Sequence, residues 1–144
     1  MRMHDSVEAM AHSYATAAVE MARDVFKIVL DYGENSLMEV DAILAQFAQD
    51  LPVRRPPADE IEEMCKVWGC YLGEVVRRRF GGEWSIDTYP GKRFATLTLR
   101  VNGNNLFPSL KIHRRLTEGE KDSIWSFYKM VKEKLDGRPG GRIQ

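Results

Sequence analysis

Apolar residues recur every three or four positions from Val7 through Met10, Ala11, Tyr14, Ala18, Met21, Val25, Ile28 and Val29 to Tyr32, the spacing of one helical face. This predicts a long first helix from Asp5 to Tyr32, with Asp5 and Glu8 as a capping pair and Gly33 as its stop. A second helix over roughly 37–50 follows, with Leu37, Val40, Leu44 and Phe47 on one face and Ser36 with Glu39 as a capping box. The stretch LPVRRPP at 51–57 holds three prolines, which predicts an extended connection and no helix.

A third helix is predicted from Ala58 or Asp59 to Phe80. Its acids, Asp59, Glu60, Glu62 and Glu63, lie in the first turns, and Arg77, Arg78 and Arg79 in the last, the order that complements the helix dipole. Gly69 and Gly73 share one face, where they leave a groove for a close neighbour. Each glycine costs about 1 kcal/mol in a helix against alanine, so tight packing is the expected compensation. Gly81 and Gly82 end the helix, because glycine adopts the left-handed C′ conformation without a Cβ clash.

Beyond Gly82 the period changes to two. Trp84, Ile86 and Thr88 predict a strand and Pro90-Gly91 a turn. A second strand follows, with Ala95, Leu97, Leu99 and Val101 on its buried face. Asn102-Gly103 is a hairpin signal, and a short third strand over about Asn105–Phe107 should end at Pro108. Ser109–Leu116 fits either a helical turn, which we favour, or an extended connection. Ile124, Phe127, Tyr128, Val131 and Leu135 predict a last helix from Glu118 to Gly137, and a disordered tail is expected over residues 138–144. The expected architecture is one α+β domain over 1–137: an N-terminal helical hairpin, a long central helix, a small antiparallel sheet of about three strands, and a C-terminal helix.

Composition narrows the class without naming an activity. With 144 residues, 44% hydrophobic and 29% charged, the chain is long enough for one sizeable core and has the profile of a globular protein. No apolar run reaches membrane-span length, so a cytoplasmic protein with no membrane partner is expected. Cys65 and Cys70 are five apart, which suits neither a disulfide nor a CxxC motif, and two small buried thiols are expected. The formal net charge is zero, yet residues 1–63 carry five basic and thirteen acidic side chains and residues 64–144 carry sixteen and eight, a split of −8 and +8. Such a split either makes a dipolar surface or is cancelled where the halves pack across each other.

Four pieces carry a resemblance: DYGENSLMEVDAIL at 31–44, WGCYLGEVVRRRFGGEW at 68–84, LFP at 106–108 and EGEKDSIWSFYKMV at 118–131. Together they resemble a family of small uncharacterised bacterial domains with a Y-L-G-E-V helix closing on G-G-x-W. The resemblance spans about Asp31 to Val131. It implies a bacterial α+β domain and brings no activity, cofactor or catalytic residue with it.

The candidate chemistry is thin. No GxSxG, P-loop, HExxH or Rossmann pattern occurs, and His4, His12 and His113 have no metal-ligand spacing, so neither metal nor cofactor is expected. Glu74 and Glu83 flank the central turn, and a carboxylate pair is what acid–base hydrolysis needs, although Glu74 is also placed for a helical ion pair with Arg78. Arg77–Arg79, Lys92, Arg93, Lys111, Arg114 and Arg115, with Trp84, Tyr89 and Phe94 as stacking faces, would suit single-stranded nucleic acid if they converged; a solvated helix end and hairpin rim is the plainer reading. The candidate binding surface is Tyr71, Glu74, Arg77, Arg78, Glu83 and Trp84. The expected function is a non-enzymatic protein–protein interaction or regulatory module. A small-ligand or hydrolytic cleft near Glu74 and Glu83 stands second and nucleic-acid binding third, and the oligomeric state is open.

Overall fold

A computed structural model describes the backbone of residues 3–137 and the side chains of residues 7–136. Its elements are α1 (Met3–Met21), α2 (Ser36–Arg54), α3 (Ala58–Phe80), β1 (Glu83–Thr88), β2 (Ala95–Val101), β3 (Asn104–Leu106), α4 (Pro108–Glu118) and α5 (Ile124–Gly137). The fold is α+β, with a three-stranded antiparallel sheet in the order β1-β2-β3 and the long α3 at the centre. The expected tail at 138–144 and the side chain of Asp5 lie outside the described residues.

Helix α3 organises the molecule. Every residue from Val67 to Val76 is buried, so the helix passes through the core instead of lying on it. The groove of glycines is used on two sides. A Cβ on Gly69 would stand 2.7 Å from the Ser109 backbone nitrogen, and one on Gly73 would stand 2.1 Å from the Trp84 ring, so α4 and β1 approach at distances no side chain permits. A third close approach uses alanine: Ala11, Ala15 and Ala18 of α1 are almost fully buried where α1 packs against α3. Gly81, at φ 86°, stops α3 as expected.

The first helix is shorter than its periodicity suggested. It ends at Met21 in a π-helical turn over Ala22–Phe26, and Lys27, at φ 60°, breaks it by turning its N–H to the Ala22 carbonyl. Val25, within that turn, is 66% exposed; after Lys27 the chain leaves the helix, so Ile28 and Leu30 pack inward while Val29 is 79% exposed. Alternating inward positions in a strand-like segment happen to continue a helical count. Tyr32, not Gly33, takes the left-handed conformation, and its N–H donates to the Tyr71 hydroxyl at 2.9 Å.

Helix α2 departs in two ways. Ser36 is its first residue but not a cap: its hydroxyl donates to the Gly33 carbonyl at 2.6 Å and lies 2.7 Å from the Tyr71 hydroxyl, so the capping box with Glu39 does not form. The helix also runs through Pro52 to Arg54. A proline in the last turn removes one ladder bond, which a helix end tolerates, and Arg55, at φ 48°, ends the helix just ahead of Pro56-Pro57.

The sheet agrees with the alternation read from sequence, with Trp84 opposite Leu99 and Ile86 opposite Leu97. Asn102 and Gly103, at φ 51° and 79°, make the expected tight turn. Ala95, at the start of β2, is exposed. The third strand stops at Leu106, just before Pro108, which opens α4, and the ambiguous stretch belongs to this full helix of 11 residues. Gly119, at φ 89°, then separates α4 from a 3-10 turn and α5. The N-terminus of α5 is capped from another element: Asp41 of α2 accepts the N–H groups of Ile124 and Trp125, each at 2.8 Å. It also accepts the Ser123 hydroxyl at 2.8 Å and pairs with Arg115 at 3.1 Å.

Candidate functional site

The tight end of the sheet–helix packing is centred on Glu74. Its carboxylate is buried and receives Arg77 through two bonds of 2.6 and 3.0 Å, the Trp84 indole N–H at 2.8 Å and His12 Nε2 at 3.2 Å. Burial alone would raise its pKa, but the hydrogen bonds from Arg77 and Trp84 and the nearby positive charge outweigh it and hold the carboxyl below its usual range. A carboxylate fixed as an anion, with its acceptor positions taken, holds Arg77 and Trp84 in place and has no proton to donate near neutral pH. The partner expected from spacing, Arg78, stands further off at 3.9 Å and lies instead 3.6 Å above the Tyr32 ring, where cation–π attraction holds it.

Among the proposed surface residues, Tyr71, Glu74 and Trp84 are buried and knit the core. Arg77 is half-buried against Glu74, Arg78 is exposed, and Glu83 is exposed at the start of β1. Successive strand residues point to opposite faces, so the Glu83 side chain leaves from the face opposite Trp84, and the structure does not bring the two glutamates together as a catalytic pair. The basic residues are dispersed as well. Arg79 pairs with Asp136 at 3.2 Å, Arg100 with Asp87 at 2.9 Å, and Lys111 with Asp122 at 3.0 Å. Arg115, expected in a solvated basic stretch beside His113, is 4% exposed because Asp41 draws it inward. Among the described residues, no cluster of His, Cys, Asp and Glu is arranged to hold a metal ion.

At the other end of the interface the sheet and α3 part. Trp84 and Leu99 are fully covered, while Ile86, two residues along the same face, is 49% exposed. Between them opens a cleft of about 570 Å³, walled by Ile61 of α3, Met10 of α1, Leu110 of α4, and Ile86, Phe94 and Leu97 of the hairpin. Phe94 is 45% exposed at its mouth. The polar groups on its rim are Glu62 and Lys66 on the α3 side and His113 on the α4 side. Cys65 forms part of the wall; burial pushes its thiol, and that of Cys70, up to about 12, so neither is a thiolate nucleophile at neutral pH. The cleft has the volume and apolar walls of a binding site for another molecule.

The residues that reasoning from sequence missed are Asp41, His12 and Glu34. Glu34 accepts the Tyr128 hydroxyl at 2.6 Å and pairs with Lys132 at 3.1 Å. Asp41 carried a signal, since it lies four after Leu37 and three before Leu44 and so puts an acid at the edge of an apolar face. No protein-family model, curated protein or solved structure matches this chain.

Proposed function

We propose that the chain is a non-enzymatic protein–protein interaction module and that its recognition site is the apolar cleft between α3, α4 and the β1–β2 hairpin. The observation that carries this reading is the pair of exposed side chains, Ile86 and Phe94, facing an open apolar space that the described residues do not fill. The hydrolytic alternative loses support because Glu74 is locked as an anion by Arg77 and Trp84. Nucleic-acid binding loses support because Trp84 is buried and most of the basic side chains are paired with acids of the chain. Two buried, unbridged thiols fit a reducing compartment such as the cytoplasm, and no described helix is long and apolar enough to cross a membrane.

The test is fluorescence of Nile red, a neutral apolar dye, with dilute protein. Wild type should raise and blue-shift the dye emission, and Ile86→Asp, at a position half open to solvent, should weaken binding several-fold with the far-UV spectrum unchanged. A wild-type protein that leaves the dye emission as in buffer overturns the cleft as a recognition site.

A further inference from the structure

We propose that the partner which covers this cleft is a second copy of the chain, related by a two-fold axis. The proposal rests on the cleft reading above and goes beyond it by naming the occupant. Its basis is the distribution of charge around the mouth. On the α3 side Glu62 and, beside the lining residues Ala58 and Ile61, Asp59 are exposed and, among the described residues, have no ion-pair partner, while Lys66 on the same rim is offset by Glu63 at 4.0 Å. On the hairpin side Lys92 and Arg93, directly before Phe94, are exposed and equally without an ion-pair partner. This sets them apart from Arg77, Arg79, Arg100, Lys111 and Arg115, each engaged with an acid of its own chain. The cleft is therefore apolar in the middle, with an unpaired acidic rim on one side and an unpaired basic rim on the other.

A surface of that kind is complementary to itself. A two-fold axis lying along the cleft lays the acidic rim of one copy on the basic rim of the other, and the same rotation makes the reciprocal contact, so each favourable pairing occurs twice. Between the rims Ile86 and Phe94 of each copy would close the mouth of the other and leave water, the apolar gain that favours association. The rim charges fix the orientation, since a half-turn about the perpendicular in-plane axis would bring acid against acid. An unrelated partner would need the same bipolar arrangement, which a second copy has by construction.

Analytical ultracentrifugation over a concentration series tests this. The wild-type mass should rise from that of one chain towards twice that value. Lys92→Glu/Arg93→Glu, with both rims acidic, and Asp59→Lys/Glu62→Lys, with both rims basic, should each stay at the single-chain mass, all four positions being exposed and the folds checked by circular dichroism. Mixing the two variants in equal amounts should restore the doubled mass, because both contacts of the mixed pair are then between opposite charges. A wild type that stays monomeric, a variant that still self-associates, or a mixture that fails to pair overturns the proposal. The cleft reading is separable: Nile red bound by monomeric protein upholds it even when pairing fails, and no dye bound by the monomeric variants overturns it.

Discussion

At the scale of single residues, stability concentrates where the glycine groove meets Trp84. The sequence showed that Gly69 and Gly73 share a helical face and so must admit a close neighbour, but not which neighbour, because that depends on Ser109, 40 residues beyond Gly69, and on Trp84, 11 residues beyond Gly73. Gly73→Ala puts a methyl group where the Trp84 ring now sits, so the ring must shift and its N–H bond to Glu74 must lengthen. We expect destabilisation near the upper end of the about 1–3 kcal/mol typical of overpacking, read as a lower urea midpoint with unchanged slope. Glu74→Gln keeps the shape and an acceptor for Trp84 but leaves Arg77 facing a neutral group. We expect about 1–3 kcal/mol lost, the size of a charged hydrogen bond left unmade at a half-buried site. Gly73→Ala should also change the environment of Trp84 and so the intrinsic fluorescence. The role of Glu74 was only half legible: spacing pointed to Arg78, whereas burial, which no local pattern reveals, made Arg77 and Trp84 its partners.

Among the elements, those with a strong internal period were legible and those set by tertiary partners were not. Helix α3, the hairpin strands and the turn at Asn102-Gly103 follow from propensity, alternation and turn chemistry. The end of α1 at Met21 does not, because the extended stretch after Lys27 is held by Tyr71, 39 residues from its partner Tyr32. The start of α5 is the clearest case. Its N-terminal N–H groups are satisfied by Asp41, some 80 residues earlier, so no capping box precedes it in sequence. Asp41→Ala removes that cap and at once leaves Arg115 buried without its counter-charge. Losing a cap costs about 1 kcal/mol, and breaking a buried ion pair costs about 3–5 kcal/mol, so a loss of about 4 kcal/mol is expected in urea unfolding. Ser123→Ala, which removes only a hydroxyl from the same cluster, should lose about 1 kcal/mol. Amide exchange at Ile124 and Trp125 should accelerate in Asp41→Ala well before exchange in α3. Equal effects of the two substitutions would show that Asp41 is not the organising group.

At the scale of the whole molecule, the −8 and +8 halves interleave. Asp41 and Glu34 of the first part pair with Arg115 and Lys132 of the second, and His12 meets Glu74. The charge asymmetry of the sequence is thus partly spent inside the fold, and this sets how stability should depend on pH. Glu74 and Glu34 both have folded pKa values below the ordinary carboxylate value of about 4.3, Glu74 against the opposing effect of burial and Glu34 chiefly through the Tyr128 and Lys132 hydrogen bonds. Between the folded and unfolded values the unfolded chain binds more protons, so their contribution is complete above about pH 4.3 and is lost as pH falls through the lower folded values. The thiols act at the other limb. Burial raises Cys65 and Cys70 to about 12, so the unfolded chain releases their protons first, and the stability they contribute is complete below the unfolded value of about 8.5 and lost as pH rises from there towards 12. The urea midpoint should therefore form a plateau between about pH 5 and 8 and fall on both sides. Glu74→Gln should lower the plateau and flatten the acid limb alone. A Cys65→Ala/Cys70→Ala variant should flatten the alkaline limb alone. An acid limb of the same steepness in Glu74→Gln would remove Glu74 from the acid response and leave that limb to the remaining carboxylates.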